Sequence, residues 1–141
     1  MTAFALGKRS IGNLKGVHPD LVSVVRRAME ITAQDFAVIE GVRTKERQAK
    51  LYAQGRTEPG PIVTWTMSSR HFVQPDGYGH AVDIAPFPID WTDPAKFDAI
   101  ATAMFAAGEE LGVALRWGAD WDRDGNPRER GETDSPHWEL A

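Results

Sequence analysis

Three of the four histidines in this chain stand in short runs with acids or hydroxyls: Ser69-Arg70-His71, Gly79-His80-Ala81-Val82-Asp83 and Asp134-Ser135-Pro136-His137. A catalytic zinc ion takes three imidazole or carboxylate ligands and keeps one position open for water. There is no cysteine, which excludes a thiolate metal site, a disulfide framework and a cysteine nucleophile. Any bound metal must therefore use His, Asp or Glu, and the chemistry on offer is hydrolysis by a metal-activated water.

Strand geometry helps to choose among the ligands. Residues three apart on an extended strand face opposite sides, so His80 and Asp83 should not reach one ion. His71 precedes the segment FVQPDGYG, whose proline and glycines can fold back and bring the imidazole beside Asp83. A carboxylate buried between two imidazoles is costly unless a cation pairs it, and a divalent metal does so. Hydrolysis also needs a base for the water and a proton for the leaving group. Asp134 and Glu139 both stand close enough to His137 in sequence to serve, and spacing leaves the choice open; Glu139 can equally support a ligand imidazole. Arg43, in Gly41-Val42-Arg43-Thr44, offers a charged fork for an oxyanion or a substrate carboxylate. Ser69 can donate to a substrate carbonyl. The ordinary alternative is that these histidines are satisfied by hydrogen bonds, with Arg43 on the surface and Ser69 ending a strand. His18 reads as a capping or surface residue, and His80 as a strand-edge residue or the support of a ligand.

The elements that must position these groups are legible in part. Leu21, Val24, Val25, Ala28 and Met29 fall at helical spacing over Pro19–Ile31, with the proline suited to a first turn. Phe36–Glu40 reads as a strand, and a helix from about Lys45 to Gln54 closes at Gly55. Residues 56–79 read as a long loop with a short extended piece at Ile62–Met67. Ala81–Pro86 reads as a buried strand. Asp93-Pro94 opens a helix with an inner face of Phe97, Ile100, Met104 and Leu111, ending near Gly112. Val113–Trp117 reads as a strand, residues 118–136 as a polar loop, and His137–Leu140 as a terminal strand. The expected fold is α+β: one small domain over residues 1–141, with a mostly antiparallel sheet packed against about three helices.

Composition narrows the function. A formal charge of −4 with both signs interleaved offers no basic stripe, so no nucleic-acid partner is expected. No run approaches a membrane span and the N-terminus lacks a signal-peptide pattern, so no membrane insertion is expected and synthesis is expected in the cytoplasm. The tryptophans at 65, 91, 117, 121 and 138 read as core and loop anchors, with Trp65 or Trp138 available to a cleft wall. Asp120–Asn126 has the look of a calcium loop but has Gly131 where such loops carry a twelfth-position glutamate, which disfavours calcium.

The three histidine blocks together resemble the zinc D-Ala-D-Ala carboxypeptidase, dipeptidase and phage L-alanyl-D-glutamate endopeptidase group. Its pattern is S-x-H, then G-x-A-x-D, then D/E-x-x-H near the C-terminus. The resemblance is greatest to the short phage endolysins and runs from FALGKRS through EGVRT and LRWGADW to HWEL. It implies Zn²⁺ on His71, Asp83 and His137, Asp134 rather than Glu139 as general base and acid, and Arg43 at the carbonyl or a substrate carboxylate. His71 and Asp83 are separated by eleven residues, five more than the family pattern, which we read as a loop insertion within FVQPDGYG. The implied activity is cleavage of the L-Ala–D-Glu bond of the peptidoglycan stem peptide. The implied protein is a monomer made in the host cytoplasm that meets its substrate after membrane permeabilisation. A D,D-carboxypeptidase or D-Ala-D-Ala dipeptidase, and a binding module without turnover, are the alternatives.

Overall fold

A computed structural model describes residues 4–62, 69–129 and 134–141. Its elements in chain order are α1 (Lys8–Asn13), α2 (Pro19–Ile31), β1 (Phe36–Glu40), α3 (Lys45–Ala53), β2 (Ala81–Pro86), α4 (Pro94–Leu111), β3 (Leu115–Trp117) and β4 (His137–Leu140). The strands form one antiparallel sheet in the order β1-β2-β4-β3. The α+β expectation holds. The expected extended piece at Ile62–Met67 and Trp65 fall, apart from Ile62, outside the described residues. No helix among the described residues is long and apolar enough to cross a membrane.

One sheet face is covered by α2 and α4. All five apolar residues expected on the inner face of α2 are buried, and His18 caps the helix by accepting the Asp20 N–H at 3.0 Å. Asp93 caps α4 in the same way, accepting from the Ala95 N–H, and Gly112 ends the helix at φ 70°. These helices meet Val38, Val82, Ile84, Leu115 and Trp138 of the sheet, and each large apolar side chain fully buried there contributes about 1.5–3 kcal/mol. Leu111 departs from expectation, being exposed. The chain reverses at Gly112, and Val113 N–H donates to Gly108 O at 2.8 Å, so the returning segment covers that end of the helix instead.

The sequence reading lacks α1. It is a short helix with no apolar period, and its role is tertiary: Ser10 Oγ accepts the Val38 N–H at 3.0 Å, and Asn13 Nδ2 donates to Val38 O at 2.8 Å. Side chains of α1 thus cap the free edge of β1, which would otherwise be open to pairing with another strand.

The other sheet face carries the polar groups. Residues directly opposite on antiparallel strands point to the same side. Glu40 pairs with Asp83, and Asp83 with His137, giving one row across three strands. Ala81 pairs with Glu139, and Glu139 with Arg116, giving a second row. A register irregularity between Val38 and Glu40 brings the carboxylate of Glu40 into the first row.

Candidate active site

His71 lies on no helix or strand, yet three hydrogen bonds hold it. Its N–H donates to Ser69 Oγ at 3.1 Å, its carbonyl accepts the Arg43 N–H at 2.9 Å, and its Nδ1 donates to Gly41 O at 2.8 Å. A carbonyl can only accept, so Nδ1 carries the proton and Nε2 presents a lone pair. Gly41 is required for close approach: a Cβ there would strike the Asn13 carbonyl oxygen.

The eleven residues between His71 and Asp83 close on themselves. Gln74 N–H donates to Tyr78 O at 2.8 Å, and His80 N–H to Arg70 O at 2.8 Å, so the excursion returns the chain to its starting point. His71 therefore still reaches the carboxylate, with Nε2 at 3.3 Å from Asp83 Oδ1. His80 is turned elsewhere, its Nε2 at 2.6 Å from Asp76 Oδ2, as strand parity requires.

His137 comes from the C-terminal strand. Its Nδ1 stands 3.5 Å from Asp83 Oδ1, and its Nε2 donates to Glu139 Oε1 at 2.8 Å. One oxygen of Asp83 thus faces two imidazole nitrogens. The other, Oδ2, receives Arg43 Nη2 at 3.3 Å. Arg43 also donates from Nε and Nη2 to the two oxygens of Glu40 at 2.9 Å, and from Nη1 to Gln48 Oε1 at 2.9 Å. Most of its fork is thus spent on Glu40 and Gln48, which hold the guanidinium beside Asp83.

Electrostatics follow this arrangement. Burial disfavours the Asp83 carboxylate, but the neighbouring imidazoles, His137 foremost, outweigh burial and hold its carboxyl well below the usual range. Burial likewise opposes the His137 imidazolium, yet Asp83 and Glu139 push it up to about 9. Asp134 Oδ2 lies 4.0 Å from His137 Nδ1. Its carboxyl is raised, first by desolvation in the cleft and then by the charge of Asp83; half of the side chain is open to water, which screens part of both effects. Gly118 lets the Asp134 turn cross, because a Cβ there would strike the Asp134 carbonyl oxygen. The crossing is tied by Asp134 N–H to Gly118 O at 3.1 Å and Gly118 N–H to His137 O at 2.8 Å.

The donor set fits a divalent metal. His71 Nε2 and Asp83 Oδ1 are buried without a hydrogen-bond partner among the described residues, and two acceptors face to face at 3.3 Å repel unless a proton or a metal ion lies between them. Ligand atoms of His71, Asp83 and His137 all lie within 4.8 Å of one another. Asp134 borders this group from the open side, whereas Glu139 sits behind His137. Ser69 and Arg70 begin an open hollow of about 670 Å³ that continues along Phe72, Gln74 and Lys45. Glu40, Gln48 and Trp121, whose ring lies 5.3 Å from that of His137, also belong to the site but carry no local sequence signal. Trp117 and Trp138 are buried and stacked 5.4 Å apart, as core anchors. The carboxylates of Asp120, Asp122 and Asp124 also converge; both oxygens of Asp120 accept backbone N–H groups of the same loop.

An α+β sheet that brings two imidazoles and a carboxylate together as a group able to hold a metal ion, beside a second, half-open carboxylate, has the residues of a hydrolase. The chain belongs to the phage L-alanyl-D-glutamate peptidase family, whose model matches residues 2–141, and is thus a peptidase. It is 37% identical to the L-alanyl-D-glutamate peptidase of Escherichia phage T5 over 99% of both chains. It is 30% identical to the peptidoglycan L-alanyl-D-glutamate endopeptidase CwlK of Bacillus subtilis, over 75% of this chain and 60% of that one. The crystal structure of the Serratia marcescens L-Ala D-Glu endopeptidase ChiX superposes with a TM-score of 0.75 at 33% identity, covering 97% of this chain and 90% of that one.

Proposed function

We propose that this chain hydrolyses the L-Ala–D-Glu bond of peptidoglycan stem peptides, with a zinc ion held by His71 Nε2, Asp83 Oδ1 and His137 Nδ1. The observation that carries this is the convergence of three buried donor atoms, two of them without partners. Zinc at such a site supplies Lewis acidity toward the scissile carbonyl and a water acidified toward a pKa of ~7. Asp134 takes the proton of the attacking water on a carboxylate oxygen and returns it to the leaving amine, a task that suits a carboxyl raised above its usual range. Arg43 acts mainly through Asp83, holding Oδ2 so that Oδ1 faces the imidazoles; its second Nη1 hydrogen is the one left for the carbonyl oxygen. Ser69 uses its oxygen to hold His71, and its hydroxyl hydrogen serves a carbonyl of the bound peptide. The chain works as a monomer, reaching the wall from the host cytoplasm once the membrane is breached.

Digestion of purified peptidoglycan followed by mass spectrometry tests the assignment. New fragments should begin at the D-Glu amine, whereas release of D-Ala alone would mark a carboxypeptidase instead. Asp134→Asn should keep the metal while kcat falls by about 10²–10⁴. His137→Ala should lose both metal and activity, and full activity in that variant would reject the site.

A further inference from the structure

Of the second row of the sheet, this mechanism uses only Glu139, as the partner of His137. Glu139 Oε1 is taken by His137 at 2.8 Å, and two arginines approach its other oxygen. Arg70 Nε stands 3.7 Å from Oε2 and Arg116 Nη1 3.9 Å, well beyond the ~2.7–2.9 Å of a charge-assisted hydrogen bond. Both side chains are 42% exposed. Arg70 is steadied by Leu140 O and His80 Nδ1, each 3.3 Å from Nη2, while Arg116 Nε is buried with no partner among the described residues. Two guanidiniums thus share one carboxylate oxygen without closing on it. The local excess of positive charge is notable in a chain whose formal charge is −4.

Position gives this excess a meaning. Arg116 sits opposite Glu139, two residues along β4 from His137, and two residues of strand span about 7 Å. Arg70 also lines the open hollow that runs along Ser69, Phe72 and Gln74. The surplus charge therefore lies one step along the sheet from the metal-binding group. On the proposed substrate the alanyl side contributes only a methyl group. The glutamyl side carries two carboxyl groups, of which peptide linkage can use one, leaving a free carboxylate a few bonds from the scissile nitrogen.

Resting on the proposed function, we propose that Arg70 and Arg116 form a subsite for a free carboxylate on the leaving side of the scissile bond. A planar carboxylate entering from solvent would meet the forks that Glu139 leaves unfilled. Its binding would fix which end of the stem peptide lies along β3 and β4. Arg70 and Arg116 are positioning residues in this scheme, and they set a preference for acidic over amidated stems.

The test compares stem peptides bearing a free carboxyl on the glutamyl residue with the same peptides carrying a carboxamide there, which keeps shape and removes charge. Wild-type protein should favour the acid at least tenfold in kcat/KM. Arg70→Gln and Arg116→Gln should each reduce that ratio to about threefold or less. A merely structural role would lower both substrates together and preserve the ratio, which would overturn the subsite, as would a wild-type ratio near one. Arg116→Lys keeps charge and strand while losing the fork, and should fall between wild type and Arg116→Gln. Peptides ending at the glutamyl residue, set against longer ones, show whether the carboxylate belongs to it or to the next residue. Calorimetric binding of the same peptides to zinc-loaded protein separates the two proposals. Arginine-dependent binding without cleavage would sink the L-Ala–D-Glu assignment and keep the carboxylate subsite, and cleavage with equal binding in the arginine variants would do the reverse.

Discussion

Lowering the pH from 8.5 to 7 should weaken zinc binding far more than an ordinary histidine site would allow. Without metal, Asp83 and Glu139 hold the His137 imidazolium to about 9, and a metal can bind Nδ1 only after that proton leaves. With this value the neutral fraction falls about 25-fold over the interval, or ~2 kcal/mol of binding free energy. An imidazole at the unperturbed value of ~6.5 would change by less than about 1.5-fold. Chelator competition across the window measures the affinity. Calorimetry in two buffers of different ionisation enthalpy counts the protons, which should approach one per ion at pH 7. A flat affinity with less than about 0.3 proton released would refute the claim that buried carboxylates on both sides of His137 govern its charge.

Stability should move the opposite way in the metal-free protein. His137 is raised above its unfolded value, so its contribution is fully present below ~6.5 and is lost as pH rises through about 9. The drop in melting temperature caused by a chelator should therefore widen from pH 7 to pH 9, as differential scanning calorimetry would show. Glu139→Gln keeps an acceptor for His137 Nε2 but removes the charge behind it, and should weaken metal binding by about 10–100-fold in chelator competition. Gly41→Ala drives a methyl group into the Asn13 backbone and displaces the carbonyl that holds His71. It should cost about 1–3 kcal/mol in denaturant unfolding and reduce zinc occupancy as well.

How much of this was legible beforehand depended on the range of the signal. Helices α2 and α4 were readable because one turn of apolar spacing repeats along a single segment, with Pro19 and Asp93 marking where each begins. Strand alternation likewise separated His80 from Asp83. The absence of cysteine limited any metal site to imidazole and carboxylate donors, and the histidine blocks named the candidates. Other features depended on contacts across the fold. Helix α1 exists to satisfy Val38, and Leu111 lost its inner position to a chain reversal. The irregularity in β1 set Glu40 beside Asp83, which drew Arg43 into an orienting role that no local pattern announces. Which nitrogen of each imidazole faces Asp83 was likewise decided at a distance, by Gly41 O for His71 and by Glu139 for His137. Side-chain periodicity is a property of one segment and survives in the sequence, whereas strand register and loop closure are agreements between segments and come into being only when the chain folds.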